Sequence, residues 1–480
     1  GFFGRLNYNY DGRYLAEVNL RYDGTSRFRR NRRWIWLPSA SVGWNIAQEK
    51  FWESLTPYVN HLKLRASYGV LGNQNANNWR ERYQTYRLLG ISMNNGGWLQ
   101  NGVKPNTVGY PGLVSEMLTW EKVHTWNIGL DWGLFNNRLT GSFEYFIRDT
   151  KNMVGPGAEL PSTLGTTVPK TNNCDLRSHG WDLEIAWNDQ LPFGLSYGAR
   201  FVLSDARTKI TRYNNNPSNS LNTYIQGRYI NEIWGYETIG VARTNDEMNA
   251  HLSSLPNGGQ AALGSNFAAG DVMYADLNGD GKIDNGANTL ENHGDLKLIG
   301  NSTPRYMFSF DLTGAWKGFD LRLFFQGVMK RDYWQGSGYF WGIAGDFWWS
   351  QGLTGHSDYF RDADTWSVKG GYSAENTDSY FPRPIFGNDG NKNHQTQTRY
   401  LQDASYIRLK NLQVGYTLPQ NLTRKIALEK VRVFFSAENL WTGTKLNKLF
   451  DPETIDDPNG WGGCAYPLSR TYSFGVSVTL

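Results

Sequence analysis

Tyr14-Leu15-Ala16-Glu17-Val18-Asn19-Leu20-Arg21-Tyr22 is the stretch on which the fold class turns. Tyr14, Ala16, Val18, Leu20 and Tyr22 fall on one face, and Leu15, Glu17, Asn19 and Arg21 on the other. A period of two is that of an extended strand with one apolar and one polar side. The pattern returns at 61–70, where Leu62, Leu64, Ala66, Tyr68 and Val70 oppose His61, Lys63, Arg65 and Ser67. It returns again at 139–148, where Leu139, Gly141, Phe143, Tyr145 and Ile147 oppose Thr140, Ser142, Glu144 and Arg148. It also runs to the last residue, in Tyr472-Ser473-Phe474-Gly475-Val476-Ser477-Val478-Thr479-Leu480. With further segments at 4–10, 36–45, 120–132, 180–188, 195–204, 305–316, 319–328, 405–418 and 430–441, the spacing predicts about 13 strands. Helical periodicity is confined to 46–56 and 420–429, each long enough for a short turn.

The connections carry as much information as the strands. Short ones at 11–13, 136–137, 191–194 and 317–318 alternate with long ones at 71–119, 149–179, 205–304, 329–404 and 442–469; the segment 46–60 is a longer member of the short class. A soluble sandwich has both ends in one solvent and no reason to alternate, whereas an outer-membrane barrel has short periplasmic turns and long external loops. Trp34, Trp36, Trp44, Trp120, Trp126, Trp132, Trp181, Trp187, Trp316 and Trp441 stand at or near strand ends, where a bilayer's headgroup level favours amphipathic rings. Composition agrees: 20 Trp, 15% aromatic residues and 39% hydrophobic residues with two cysteines exclude a disordered chain and a disulfide-framed fold. A net charge of 48 − 44 = +4 offers no concentrated basic excess for nucleic acid. No apolar run approaches the roughly 18 residues of a helical span. The expectation is an all-β transmembrane barrel. Since bacterial single-chain barrels are even-numbered, an odd count means either that one strand escapes the pattern or that 1–480 is one portion of a larger barrel, and the strand pattern beginning at once favours the second.

Particular strings sharpen this. Gly4-Arg5-Leu6-Asn7-Tyr8, Arg21-Tyr22-Asp23-Gly24-Thr25-Ser26-Arg27-Phe28, Leu37-Pro38-Ser39-Ala40-Ser41-Val42-Gly43-Trp44 and Leu62-Lys63-Leu64-Arg65-Ala66-Ser67-Tyr68-Gly69 resemble consecutive segments of the SusC/RagA-like TonB-linked outer-membrane transporters. Ile299-Gly300-Asn301-Ser302-Thr303-Pro304-Arg305-Tyr306, Ile407-Arg408-Leu409-Lys410-Asn411-Leu412, Glu438-Asn439-Leu440 and Arg470-Thr471-Tyr472-Ser473-Phe474-Gly475 continue the likeness in the same order. The resemblance implies the C-terminal part of a roughly 22-stranded antiparallel transmembrane β-barrel with long extracellular loops. It implies location in the outer membrane of a Gram-negative bacterium, and import of a glycan or peptide. A SusD-like surface lipoprotein would be the lid, and TonB would act through an N-terminal part that, like the plug and first strands, has no counterpart here. Leu480 stands where the family usually has a terminal Phe. A passive porin and a secreted all-β glycan-active enzyme are the alternatives.

Among candidate sites, Asp276-Leu277-Asn278-Gly279-Asp280-Gly281-Lys282-Ile283-Asp284 has the spacing of a calcium loop. Side chains at the first, third, fifth and ninth positions and a carbonyl at the seventh, here Lys282, supply oxygens to one ion. The twelfth position is Ala287, so the resemblance puts Asp295 in its place, with Glu291 in reserve. An Asn/Gly/Asp turn is the plainer reading. Trp341, Trp348 and Trp349 are candidates to stack on a sugar above the lumen, or else to pack within the loop. Arg29-Arg30-Asn31-Arg32-Arg33 suits lipopolysaccharide phosphates, with a solvated loop tip as the plainer reading. Polar inward residues Glu17, Asn19, Arg21, Glu144, Arg148, Asp182, Glu184, Asp320 and Arg322 are lumen candidates. The seven His are scattered without metal-ligand spacing and no catalytic triad order stands out, so no catalytic residue is assigned. Cys174 and Cys464 are expected in external loops.

Overall fold

The computed structural model describes residues 1–74, 89–109, 112–155, 157, 161, 163, 168–342, 352–456 and 465–480. Thirteen strands form one antiparallel sheet in chain order: β1 (Phe2–Tyr10), β2 (Tyr14–Gly24), β3 (Trp34–Asn45), β4 (Val59–Asn73), β5 (Glu121–Leu134), β6 (Leu139–Gly155), β7 (Thr171–Gln190), β8 (Ser196–Tyr213), β9 (Arg305–Trp316), β10 (Phe319–Lys330), β11 (Tyr406–Thr417), β12 (Lys430–Thr444) and β13 (Thr471–Thr479). Each neighbour in sequence is the neighbour in the sheet, so β1 and β13 stand at its two ends. The expected strands and the alternation of brief and long connections are both present. The chain divides into two compact units, one of residues 1–185, 206–219 and 223–230, the other of 186–205, 220–222 and 231–480.

Register explains the first unit. Across β1 to β6, Leu6, Val18, Ala40, Tyr68, Trp126 and Ile147 lie in one row, and Tyr8, Ala16, Val42, Ala66, Ile128 and Tyr145 in the next. A third row is Tyr10, Tyr14, Trp44, Leu64, Leu130 and Phe143. Between them run Asn7, Glu17, Ser41, Ser67 and Asn127, then Asn9, Leu15, Gly43, Arg65, Gly129 and Glu144. Because successive side chains point to opposite faces, apolar rows share one face and polar rows the other. The apolar face is uncovered: Val42 is 58% and Ile128 59% exposed. A soluble protein does not leave contiguous rows of this size to water, so the solvent they meet is hydrocarbon.

The second unit repeats the rule. Trp316, Phe319, Tyr416, Val433 and Val476 form one row, and Gly314, Leu321, Val414, Phe435 and Phe474 another. Thr313, Arg322, Gln413, Ser436 and Ser473 line the opposite face. Its long connections (residues 231–304, 331–405 and 445–470) share a core of their own, in which Tyr236, Val272, Tyr274, Ile283, Phe340, Phe381, Tyr400 and Phe450 are buried.

Two expectations change. The connection expected at 149–179 is shorter, because β6 extends to Gly155 and β7 begins at Thr171; β8 likewise reaches Tyr213. Asn152 adopts φ 58°, which breaks the strand pattern in sequence, while Cys174, Ile210 and Tyr213 form a small core that holds the extended ladder. Cys174 therefore lies buried in β7 as a free thiol, not in a loop; Cys464 lies outside the described residues. The turns expected at 46–56 and 420–429 are present as short 3-10 and α segments.

The two-faced sheet makes a direct prediction. Ile128→Arg, mid-strand on the apolar face, is expected to cost about 2–4 kcal/mol in a bilayer, and Ser67→Arg on the polar face close to nothing. Urea unfolding in liposomes separates them; equal costs would contradict the assignment of faces.

Candidate functional site

The polar face of the first unit is organised around Arg65. Its guanidinium on β4 spans Asp131 on β5, at 3.1 Å, and Glu144 on β6, while Asn127 Nδ2 donates to Glu144 at 2.9 Å. Arg5 pairs with Glu17, and Asn19 donates to Glu17 at 2.7 Å. Asn7, Glu17, Ser41, Lys63, Arg65 and Asn127 line a concavity of about 520 Å³. In the second unit Asp311 pairs with Arg322 at 2.7 Å and Asp320 with Arg432. These cross-strand pairs neutralise the charge of the polar face locally and leave amide and hydroxyl groups between them. Glu17, Asn19, Glu144, Asp320 and Arg322 are thus placed as expected. The hub, Arg65, was visible only as one polar residue of an alternating strand; its partners are set by the lengths of the connections.

The acidic loop wraps upon itself. Asp276 accepts from the N–H groups of Gly279 (2.7 Å) and Gly281 (2.8 Å), Asn278 from that of Asp280 (2.9 Å), and Asp280 from that of Lys282 (3.2 Å). Gly281, at φ 79°, makes the sharp turn. Asp295 is completely buried and accepts from the N–H groups of Leu277 (2.8 Å) and Asp284 (2.9 Å), so this acid ties two points of the loop together by hydrogen bonds. Burial pushes its carboxyl above the usual range, against the pull of those donors. The ammonium of Lys282 holds Asp284 below it, and is itself raised by Asp284. Among the described residues no three His, Cys, Asp or Glu side chains converge as a metal site.

Trp341 is 6% exposed. One face of its ring is stacked on His394, with centroids 4.2 Å apart, and its remaining surroundings include Phe340, Phe381 and Tyr400. Trp348 and Trp349 lie outside the described residues. Burial lowers the His394 imidazole to about 4, against an unfolded value of about 6.5. The stability contributed by the neutral ring is therefore complete above the unfolded value and is lost as pH falls toward the folded one. We expect this loop packing to weaken between about pH 6.5 and 4. Near-ultraviolet circular dichroism checks it, with His394→Phe expected to flatten the transition.

The remaining candidates have local partners. Arg29 pairs with Glu116 at 2.8 Å and Arg33 Nε donates to the Phe28 carbonyl at 3.0 Å, leaving Arg30 exposed at the tip.

Residues 1–329 match the family model of the TonB dependent receptor-like β-barrel. The chain is 28% identical to TonB-dependent receptor P3 of Formosa agariphila, over 99% of this chain and 45% of the relative. It is 26% identical to TonB-dependent receptor SusC of Bacteroides thetaiotaomicron, over 99% of this chain and 43% of the relative. Among solved structures, the RagAB peptide importer in its open-open state superposes with a TM-score of 0.72 at 21% identity, covering all of this chain and 46% of that one. The chain thus spans a little under half the length of these relatives. A sheet with one face for lipid and one ion-paired, carried over more than half its residues by one family's pattern, leaves a single assignment: this chain belongs to the TonB-dependent receptor-like β-barrel family of the outer membrane.

Proposed function

We propose that the chain forms barrel wall and external loops of a transporter for active import of a glycan or peptide nutrient. The observation that carries this is the second unit's loop assembly. A passive pore needs a wall and a constriction, whereas here three long connections fold around a shared aromatic core, a built platform suited to seat a lid. In this reading a SusD-like surface lipoprotein closes over the loops. The plug and the segment that meets TonB belong to the stretch of the relatives that this chain does not match. Arg30, with its neighbours in the 29–33 run, meets lipopolysaccharide phosphate. Trp341 acts through packing, and no residue is assigned a catalytic role. The test is a gene deletion, with growth on defined glycans and peptides, alongside affinity purification in detergent. Loss of growth on one nutrient class and a co-purifying lipoprotein support the reading; unrestricted diffusion of small solutes through the purified protein, without any lid, favours a porin.

We propose also that Asp276, Asn278, Asp280, the Lys282 carbonyl, Asp284 and Asp295 bind a structural calcium ion. The donors are all oxygens, the loop already turns at Gly281, and Asp295 is a fully buried acid that a cation would neutralise. The Lys282 ammonium, beside Asp284 and 3.9 Å from Asp280, would have to yield its place. Calcium at a hundred times its dissociation constant is expected to stabilise the loop by about 2.7 kcal/mol. Thermal unfolding with calcium or chelator measures it, and Asp280→Asn should shrink the difference. An identical transition in both conditions would leave the loop as a hydrogen-bonded turn.

A further inference from the structure

Residues of the connection between β10 and β11 line a half-open cavity of about 410 Å³, a size that holds one amino-acid side chain and its neighbouring backbone. Its walls are mainly aromatic and aliphatic: Trp341, Leu353, Phe381 and Phe386, with two prolines at 382 and 384. His356, Ser357, Tyr359, Arg383 and His394 bring polar groups to the lining.

The cavity is held open by its own frame. His356 accepts from the Leu353 N–H through Nδ1 at 2.9 Å, and its Nε2 lies 3.0 Å from the Phe340 carbonyl. The imidazole thus ties the turn at Leu353 to the carbonyl of Phe340. Gly342 ends the short helix at φ 73°, and a Cβ there would come within 2.9 Å of the His356 ring. Phe386 remains 61% exposed, an aromatic ring presented to solvent at the edge of an apolar chamber.

Charge decides what fits. Asp271 is fully buried, and its Oδ2 is 3.0 Å from Lys392 Nζ and also accepts from the Ala268 N–H at 2.9 Å. Arg383 reaches the same oxygen only at 3.4 Å, and its Nε is buried without a partner. One carboxylate therefore faces two cations, and Lys392 holds it more closely. The Arg383 side chain, 37% exposed, is left incompletely neutralised beside apolar walls, and its two terminal nitrogens can meet a planar anion end-on. A neutral glycan brings no such anion, and even a uronate, which does carry a carboxylate, would bring hydroxyls that burial against these apolar walls leaves unpaired.

We infer that this cavity binds the C-terminal residue of a peptide, with an apolar side chain among Trp341, Leu353, Phe381 and Phe386 and the terminal carboxylate on Arg383. The inference rests on the import reading for its purpose and narrows that reading's substrate class to peptides.

The experiment uses the full-length transporter in detergent and isothermal titration with three probes: the tetrapeptide Ala-Ala-Ala-Phe, its C-terminal amide, and maltotetraose. The free acid is expected to bind about tenfold or more tightly than the amide. Arg383→Gln should erase that difference, and Phe386→Ala, at an exposed position that does not endanger folding, should weaken acid and amide alike. Equal affinity for acid and amide, a preference that survives Arg383→Gln, or displacement of the peptide by maltotetraose would each overturn the inference. Peptide uptake by cells without acid selectivity sinks this inference and spares import. Acid-selective binding in a protein that supports no uptake does the reverse.

Discussion

Lys392→Met is expected to destabilise the loop assembly by about 3–5 kcal/mol, the cost of stranding a buried charge. Lys392 is 1% exposed and Asp271 fully buried, with Nζ and Oδ2 3.0 Å apart. The ammonium also donates to the carbonyls of Ser265 (2.8 Å) and Asn266 (2.9 Å) and lies 4.9 Å above the Phe267 ring. Methionine fills the space but donates nothing, so two carbonyls lose their partner and Asp271 keeps only the weaker of its two cations. Asp271 in turn organises the Ala268 N–H and the Asn393 amide, which tie residues 265–272 to 392–393. The damage should be local. Hydrogen exchange over 241–274 and 383–400 should quicken by at least about a hundredfold while β1 to β6 are unchanged. Asp271→Asn in the same chain removes the stranded charge yet keeps an acceptor for Ala268, and should recover part of the loss. Exchange unaltered by Lys392→Met would show that the pair does not hold these segments together.

The sheet and the loop assembly were unequally legible for a physical reason. A barrel strand is read against two solvents at once, so each residue carries its own label, and the face on which Val18 or Tyr68 lies follows from local sequence. The loop core has no such period. Tyr236, Ile283, Phe340, Phe381, Tyr400 and Phe450 meet from widely separated positions, and nothing about Phe340 in sequence distinguishes a buried anchor from an exposed ring. Trp341 shows the limit well: an aromatic cluster in a long loop fits a sugar platform and a core equally, and only the neighbour across its face, His394, separates them. Asp295 is the opposite case. It was singled out through the family resemblance, not through spacing, and the structure shows it accepting from the N–H groups of Leu277 and Asp284 at the two ends of the loop. Arg65 was missed as a hub because pairing across β4, β5 and β6 depends on register, which alternation alone does not fix.

Arg408→Met should release the connection between β12 and β13, again at a cost of about 3–5 kcal/mol. Arg408 stands on β11 at 3% exposure. Its Nε donates to the Thr442 hydroxyl on β12 at 2.8 Å, and its Nη2 lies 2.8 Å from both carboxylate oxygens of Asp451. A further nitrogen is 3.1 Å from Glu453. Asp451 passes the constraint on, accepting from the N–H groups of Glu453 (2.9 Å) and Leu468 (3.2 Å). One guanidinium thus fixes two stretches of the same loop to the strands beneath. Its loss leaves two carboxylates near each other in a dry setting. Lys410 offers the control on the same strand: it reaches only Glu453, at 2.9 Å, and is more open to solvent, so Lys410→Met should cost less than about 1 kcal/mol. Arg408→Lys keeps the charge but not the fork and should restore little. Proteolytic nicking within 445–470 reads the effect directly, and because the loop shares Phe450 and Ile455 with the common core, the packing of that core should loosen with it. If Arg408→Met and Lys410→Met nick at the same rate, the anchor is not the guanidinium, and the loop must be held by its apolar contacts alone.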